Sequence, residues 1–415
     1  MAQIEPKTLK GFRDFLPSEQ IARARFIQTI KASFETFGFD PLETPALEYA
    51  ETLTGKYGDE GDKLMYRFKD NGDRDVALRY DLTIPLARVV AQNGELKKPW
   101  RRYQIAPVWR AENTQRGRYR EFYQCDADIV GSSNPLGDAE ILALAGATLT
   151  ELGVKDFEIR VNDRRLLDAF FDEQKIDAGK RVSVLRAIDK LAKVGEAGVA
   201  DELEKAGVAT GAIKNILKAV VSNALPQESE LSRIIALARE MNPDLNISFD
   251  FSIARGLDYY TGMIFETVLT TAPAYGSVLS GGRYDNLIGM FSNRPVPAVG
   301  MSIGLDRLFA ALEELKLIDK KGTTTQVMIL NLDESLVGEY VRMASELRAK
   351  GTNTVLYYES GDMGKQLKYA SDRGIGSVVI YGPDEKKEGT AIVKDLSTGK
   401  QEKVIFTELS KAISF

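Results

Sequence analysis

Ile27, Ile30, Phe34 and Phe37 recur at intervals of three or four residues, so one apolar face predicts an amphipathic helix from about Ser18 to Phe37 that Gly38 ends. The next segment, Phe39 to Leu47, is extended and carries Pro41 and Pro45, which suit a sheet edge or an interface rather than a central strand. Leu64, Tyr66 and Phe68 then alternate with polar residues, Asp70-Asn71-Gly72-Asp73 supplies a turn, and Val76 and Leu78 alternate after it. That is a β-hairpin pattern, and its second strand delivers Arg79, Asp81 and Thr83.

Phe157 to Asn162 reads as a further strand. From about Asp163 to Met241 the period becomes helical and the chain is rich in Ala, Lys, Glu and Leu, which predicts an inserted helical module. Ile247, Phe249, Phe251 and Ile253 alternate strictly with polar residues, as a half-buried antiparallel strand does. Met263 to Leu269, Ser277 to Leu279 and Ala298 to Ile303 can supply neighbouring strands, and Gly304 opens a helix carrying Leu305, Leu308, Phe309 and Leu312. Asp319 to Thr325 is a polar linker without apolar period. After it, β-like runs at Val327 to Leu330, Thr354 to Tyr358 and Val378 to Tyr381 are separated by two helical patterns, giving a βαβαβ order with parallel pairing. A turn at Asp395 to Lys400 separates two late strands. The expected domains are 1–318, with the helical insertion at about 163–241, the linker 319–325, and 326–415.

Composition narrows the chemistry. With 415 residues, 28 % charged and 44 % hydrophobic, the chain has material for roughly two or three compact units. No signal-like N-terminus or membrane-length apolar run is present, and the lone Cys125 excludes an intramolecular disulfide, so a cytoplasmic location is expected. A net charge of -5 argues against a general nucleic-acid coat but leaves room for a local basic patch that binds RNA, with Lys97, Lys98, Arg101 and Arg102 and then the arginines of 110–120 as candidates. The count of 0 histidines removes imidazole general bases, His-paired nucleophiles and His metal sites together; with one cysteine, no zinc site is expected either. Catalysis must then run on carboxylates, arginines, lysines, phenols, hydroxyls or a carboxylate-bound metal, which favours positioning and electrostatics.

Residues 110–128 hold the densest chemistry. Arg110, Arg116, Arg118 and Arg120 are planar forks suited to phosphate oxygens, and a run of alternating polar groups follows them. Taken alone, the stretch reads equally as a solvated hairpin. Arg255 beside Gly256 interrupts a strand pattern, Ser280 to Asp285 reads as a tight turn into a helix, and Arg307 falls in a first helical turn, where an anion is already favoured. Leu78 to Thr83 offers a carboxylate and a hydroxyl able to hold an ammonium.

The order of these segments resembles the class II histidyl-tRNA synthetases over nearly the whole chain. The family's motif 1 is similar to the helix and extended segment ending near Pro45, motif 2 to Val108 through Asp128, and motif 3 to Ala298 through Arg307. Its two histidine-site signatures resemble Arg255-Gly-Leu-Asp-Tyr-Tyr260 and Gly281-Gly-Arg-Tyr-Asp285. The resemblance implies an α+β fold, an antiparallel sheet flanked by helices, with a helical insertion and a C-terminal α/β anticodon-binding domain. It also implies a homodimer and ATP-dependent attachment of L-histidine to tRNA(His) through a histidyl-adenylate. ATP enters as a substrate with Mg²⁺, whose ligands the sequence leaves open, and no tightly bound organic cofactor is expected. By the same resemblance Arg110 clamps the α-phosphate, Glu112 contacts the adenine side, Arg307 holds the far phosphates, and Arg255 approaches the reacting carboxylate and α-phosphate. Asp81, Thr83 and Gln124 hold the α-amino group, Asp128 and Tyr260 face the imidazole, Tyr284 lines the pocket, and Arg116, Arg118 and Arg120 meet the tRNA acceptor end.

Two departures stand out. Many bacterial members carry glutamate and glycine where this chain has Asp81 and Leu82, and a chain without histidine is unusual in the family. The main rival is a histidine-binding regulatory paralogue of the ATP phosphoribosyltransferase type. Such subunits usually lack the C-terminal domain and lose the arginines, whereas this chain keeps Arg110, Arg255, Arg307 and a segment from about 326 to 415. A kinase-linked sensor module would need kinase motifs, and the sequence has none.

Overall fold

The structure is a computed structural model that describes residues 4–55, 58–253, 259–292 and 294–413. The chain divides into two compact units, Met1–Asp14 with Phe26–Ile318, and Phe15–Arg25 with Asp319–Phe415.

The first unit is organised by an eight-stranded sheet. Its strands run in the order Asp40–Pro41, Trp100–Trp109, Glu121–Val130, Ala298–Gly304, Ser277–Arg283, Met263–Leu269, Phe157–Asp163, Ile247–Phe249. Every inner pairing is antiparallel, and only the pairings of the two short edge strands are parallel. The proline-bearing segment sits at an edge, where Pro41 removes no central ladder bond. The central pair, Trp100–Trp109 against Glu121–Val130, is a ten-residue hairpin in continuous register from Trp100↔Val130 to Trp109↔Glu121.

Helices cover the sheet. Pro135–Glu151, capped by the Asn134 side chain on the Leu136 amide, is apolar around most of its circumference and buries Ile141, Leu142, Leu144 and Leu149. It is fixed to the Ser277–Arg283 strand by a buried ion pair: Arg283 Nε donates to Asp138 at 3.0 Å, and Arg283 also donates to the Ser132 carbonyl at 3.0 Å. Leu305–Glu314 starts at Gly304, buries Leu305, Leu308, Phe309 and Leu312, and stacks Phe309 edge-on against Phe26 of the Pro17–Thr36 helix. A smaller sheet, Leu47–Tyr49, Asp75–Leu78 and Arg67–Lys69, contains the expected hairpin, whose Asp70 carboxylate accepts from the amides of Gly72 and Arg74.

Helices Arg164–Glu173, Ala178–Asp189, Leu191–Lys205 and Thr210–Ser222 gather around Leu167, Phe171, Leu185, Leu203 and Ile216, a core of their own that Phe251 completes. Glu230–Met241 packs instead on Pro135–Glu151. The second unit carries a five-stranded sheet ordered Thr354–Leu356, Val327–Ile329, Ser377–Ile380, Thr390–Asp395, Gln401–Ile405, parallel in its first three strands and antiparallel in the last two. Val337–Ala349 buries Tyr340 there, and its hydroxyl donates to the Tyr381 carbonyl at 2.9 Å.

Three local expectations are corrected. The alternation at Ile247 to Ile253 forms only a three-residue strand, parallel to Phe157–Asp163, because the Asp250 carboxylate accepts from the Ser252 amide and hydroxyl and turns the chain. Gly281 and Gly282 form no turn: they lie inside the Ser277–Arg283 strand, in a layer too tight for side chains. Thr83 leaves the hairpin strand, which ends at Leu78, and opens the helix Thr83–Gln92.

Removing one member of a buried ion pair strands the other charge, at a cost of about 3–5 kcal/mol. Asp138→Ala should therefore lower the urea midpoint by the equivalent of several kcal/mol, with secondary structure retained at low denaturant by circular dichroism. A change below about 1 kcal/mol would mean that the pair does not hold helix to sheet.

Candidate active site

Successive side chains of a strand point to opposite faces. Along Glu121–Val130 this places Phe122, Gln124, Asp126 and Asp128 on one face and Tyr123, Cys125, Ala127 and Ile129 on the other. The register extends each row across the sheet. Asp128 is flanked by Arg102 and Gly300, Asp126 by Gln104 and Ser302, and Gln124 by Ala106 and Gly304. Directly opposed residues share a face, so the rows continue through Gly282 and Ile264 and through Ser280 and Glu266. They floor a cavity of about 350 Å³.

Glycine makes room for the large groups. A Cβ at Gly300 would lie 1.9 Å from Asp128 Oδ1, and one at Gly282 would lie 3.0 Å from the Tyr260 ring. Asp128 therefore lies across the strand at Gly300, and Tyr260 lies over Gly282. Tyr259 and Tyr260 pack with ring centroids 4.4 Å apart, and Tyr284 meets Tyr259 edge-on at 6.3 Å. The Tyr284 hydroxyl donates to Asp128 Oδ1.

Beneath them sits a buried charge cluster. Arg102 is fully buried and lies 2.7 Å from Asp128 Oδ2, an ion pair whose angles make no hydrogen bond. Asp126 and Asp128 are both at least 97 % inaccessible, so two carboxylates share one guanidinium. Burial pushes the Asp126 carboxyl up to about 7, against the pull of Arg102 and with the push of Asp128. Burial raises Asp128 as well, opposed by Arg102 and by the Tyr284 hydroxyl. Burial, and then the charge of Asp128, lifts the Tyr284 phenol well above its ordinary value; burial likewise lifts Tyr260. Both phenols consequently remain protonated and able to donate.

The other end of the floor is basic. Arg110 follows the Trp100–Trp109 strand, with its guanidinium 4.3 Å from the Tyr80 ring centre and 5.2 Å from that of Phe122. Its Nε donates to the Tyr80 carbonyl at 3.0 Å, and its two terminal nitrogens have no hydrogen-bond partner among the described residues. Arg307, at the third position of its helix, donates to the Ser277 carbonyl at 2.7 Å. Glu112, two residues after Arg110, lies 3.5 Å from Arg118.

Asp81, Thr83, Arg110, Glu112, Arg118, Gln124, Asp128, Tyr260, Tyr284 and Arg307 all line this cavity. Asp81 also accepts from the Ile84 amide at the start of the Thr83–Gln92 helix. Arg116 and Arg120 do not line it. Arg116 pairs with Glu314 beside Tyr275, while Arg120 packs on Gly11 and donates to the Glu112 carbonyl at 3.2 Å. Arg255 lies outside the described residues. Cys125, buried on the opposite face of its strand, is no part of the cavity.

Sequence reasoning missed Asp126, Glu266 and Ser302, gave Tyr259 no role, and placed Arg102 in a basic patch open to RNA, whereas it is fully buried against Asp128. Asp126 was readable, since the period that put Gln124 and Asp128 on one face puts Asp126 between them. Arg102 was not, because its role depends on pairing register.

The histidyl-tRNA synthetase family matches residues 11–308, and the anticodon-binding domain family matches residues 326–414. The histidine–tRNA ligase of Rhodopirellula baltica is 42 % identical over 98 % of this chain and 97 % of its own, and that of Clostridium tetani is 41 % identical over 99 % and 98 %. Among solved structures, the histidyl-tRNA synthetase of Nostoc sp. PCC 7120 superposes with a TM-score of 0.88 at 34 % identity, covering 99 % of each chain.

The buried acids have a measurable consequence. A carboxyl whose folded pKa is raised contributes stability below its unfolded pKa of about 4 and loses it as pH rises through the folded value. For Asp126 the window runs from there up to about 7. Asp126→Asn, held neutral, should gain thermal stability over the parent as pH increases from 4 to 7, and the gain should level off above that. A difference in melting temperature that stays constant with pH would refute the charged origin.

Proposed function

The chain belongs to the histidyl-tRNA synthetase family, and from that premise we infer that it attaches L-histidine to tRNA(His) in two steps, forming histidyl-adenylate from ATP and then charging the tRNA. Pyrophosphate leaves in the first step and AMP in the second. The observation that carries this reading is one cavity whose floor changes along a single strand direction, from the acids and phenols at Asp128 to the arginines beyond Phe122. A zwitterionic amino acid fits that polarity, with its carboxylate toward the arginines and its imidazole toward Asp128.

In this assignment Asp128 accepts from one imidazole nitrogen and the Tyr260 phenol serves the other, while Tyr284 orients Asp128. Asp81, Thr83 and Gln124 hold the α-ammonium. Arg110, its plane fixed by the Tyr80 and Phe122 rings, meets the α-phosphate with its terminal nitrogens. Glu112 faces the adenine and Arg307 the far phosphates. Arg255 approaches the reacting carboxylate. Negative charge grows on the α-phosphate as the carboxylate attacks, and cations fixed before the reaction stabilise it without reorganisation. Arg116, Arg118 and Arg120, on the hairpin loop between the two long strands, receive the acceptor end of tRNA.

Six carboxylates line the cavity (Asp81, Glu112, Asp126, Asp128, Glu266 and Asp306) against the described guanidiniums of Arg110, Arg118 and Arg307. Nucleotide enters as its Mg²⁺ complex, in which the ion screens the phosphates from these acids. Residues 326–415 act as the anticodon-binding part, and the active species is a homodimer formed around the segment ending near Pro45. No helix among the described residues is long and apolar enough to cross a membrane, and a cytoplasmic site of action follows from the reaction.

ATP–pyrophosphate exchange screened over all amino acids should respond to histidine alone, require Mg²⁺, and be followed by charging of unfractionated tRNA. Exchange with no amino acid would leave a histidine-binding regulatory protein. Asp128→Ala should raise the histidine KM on the order of 100-fold with little change in the ATP KM; equal losses for both substrates would remove Asp128 from the imidazole site.

A further inference from the structure

Gln124 and Asp126 follow one another on the cavity face of Glu121–Val130, and each presents an acceptor that the protein leaves unused. Gln124 donates through Nε2 to Ser302 at 2.7 Å, which turns its Oε1 away. Gln124 Oε1 and Asp126 Oδ1 are both buried and find no hydrogen-bond partner among the described residues. Buried acceptors are almost always satisfied, so two adjacent ones lining a cavity call for a donor from outside the chain. Charge identifies that donor. Arg102 supplies one positive charge to the buried pair Asp126 and Asp128, and it lies against Asp128. Among the described residues, the other groups facing Asp126 are the neutral Ser302 hydroxyl, Asp81, an acid, and the phenols of Tyr259 and Tyr284. None of them can balance a second carboxylate, whereas a ligand cation can.

We propose that Asp126 is a further amino-acid-recognition residue, whose carboxylate, together with Gln124 Oε1, takes the α-ammonium group of the substrate. This rests on the reading of the cavity as a histidine site, and adds to it a carboxylate that no spacing argument or family signature had assigned. A proton and the ammonium compete for the same oxygen. In the empty site the carboxyl holds its proton up to about 7, so the ammonium binds weakly below that pH and tightly above it.

The test is the histidine KM in ATP–pyrophosphate exchange between pH 6 and 8.5, for the parent and for Asp126→Asn. At pH 8 the variant should show a KM roughly 10- to 100-fold higher, as expected for a lost charge-assisted hydrogen bond, with an unchanged ATP KM. At pH 6 the two should converge, because the parent carboxyl is then neutral too. The titration of the substrate imidazole is common to both proteins, so parallel pH curves would overturn the proposal. A second measurement needs only the parent: calorimetric binding of histidine and of imidazolepropionate, which lacks the amine. The ratio of the two affinities should rise with pH through neutrality; a flat ratio would overturn the proposal even if the variant did not fold. Exchange by the parent with histidine tests the functional reading, and the difference between variant and parent tests Asp126, so the two can fail separately.

Discussion

One guanidinium in a fully buried position, that of Arg102, sets the electrostatic state of the cavity. Two carboxylates depend on it, and it lies against only one of them. Desolvation disfavours every charge in such a place, so the pairing adds little net stability compared with an apolar substitute. It contributes instead, once Asp126 has lost its proton, an excess of one negative charge at the floor of the cavity, where the proposed substrate brings a cationic amine. Burial above all, with the charge of Asp128 adding to it, keeps the phenols of Tyr260 and Tyr284 protonated as donors.

That cluster constrains the sheet around it. Arg102, Asp128 and Gly300 share a row only because three consecutive strands pair antiparallel without a bulge between them, and a shift of one residue would send the whole set to the opposite face. The glycines follow from the same geometry. With Asp128 lying across the neighbouring strand, no side chain fits at position 300; with the Tyr260 ring lying on the sheet, none fits at 282. Helix and sheet are then held in place from behind by Arg283 and Asp138, so the residue that follows Gly282 in the chain secures the layer on which the phenols rest.

Much of this architecture was legible in the chain. The strands at 157–163, 263–269 and 298–304, the Asp70–Gly72 hairpin and the parallel βαβαβ order of the last unit follow from apolar period and turn residues, because each is decided by neighbours a few positions away. Alternation failed at Phe251, whose side chain is apolar because it completes the core of the helical insertion, not because the strand continues. It failed again at Gly281 and Gly282, where glycines that local rules read as a turn are demanded by a ring and a carbonyl from distant segments. The site divides in the same way. Of the residues named by resemblance to a family, those that are described line one cavity except Arg116 and Arg120, whereas Arg102 depends on which strand lies beside which, and no local window carries that information.

A chain without histidine that selects histidine has to do so by acceptors and donors fixed in advance. An imidazole titrates near neutrality and would make the state of the site depend on the medium. Here the cavity presents guanidiniums, phenols raised far above their ordinary range, and buried acids, and the guanidiniums and phenols hold one protonation state at working pH. Asp126 is the exception, and its position explains why it can be. It lies between the row of Asp128 and the row that leads to the arginines, where the proposed substrate brings a mobile positive charge. Binding supplies the counter-charge that the folded protein lacks, so the free energy withheld from folding at that carboxylate becomes available for recognition. With the ammonium held there, the carboxylate of the amino acid lies further along the strand direction, toward Arg110, and selection and positioning for attack are set by the same row of residues.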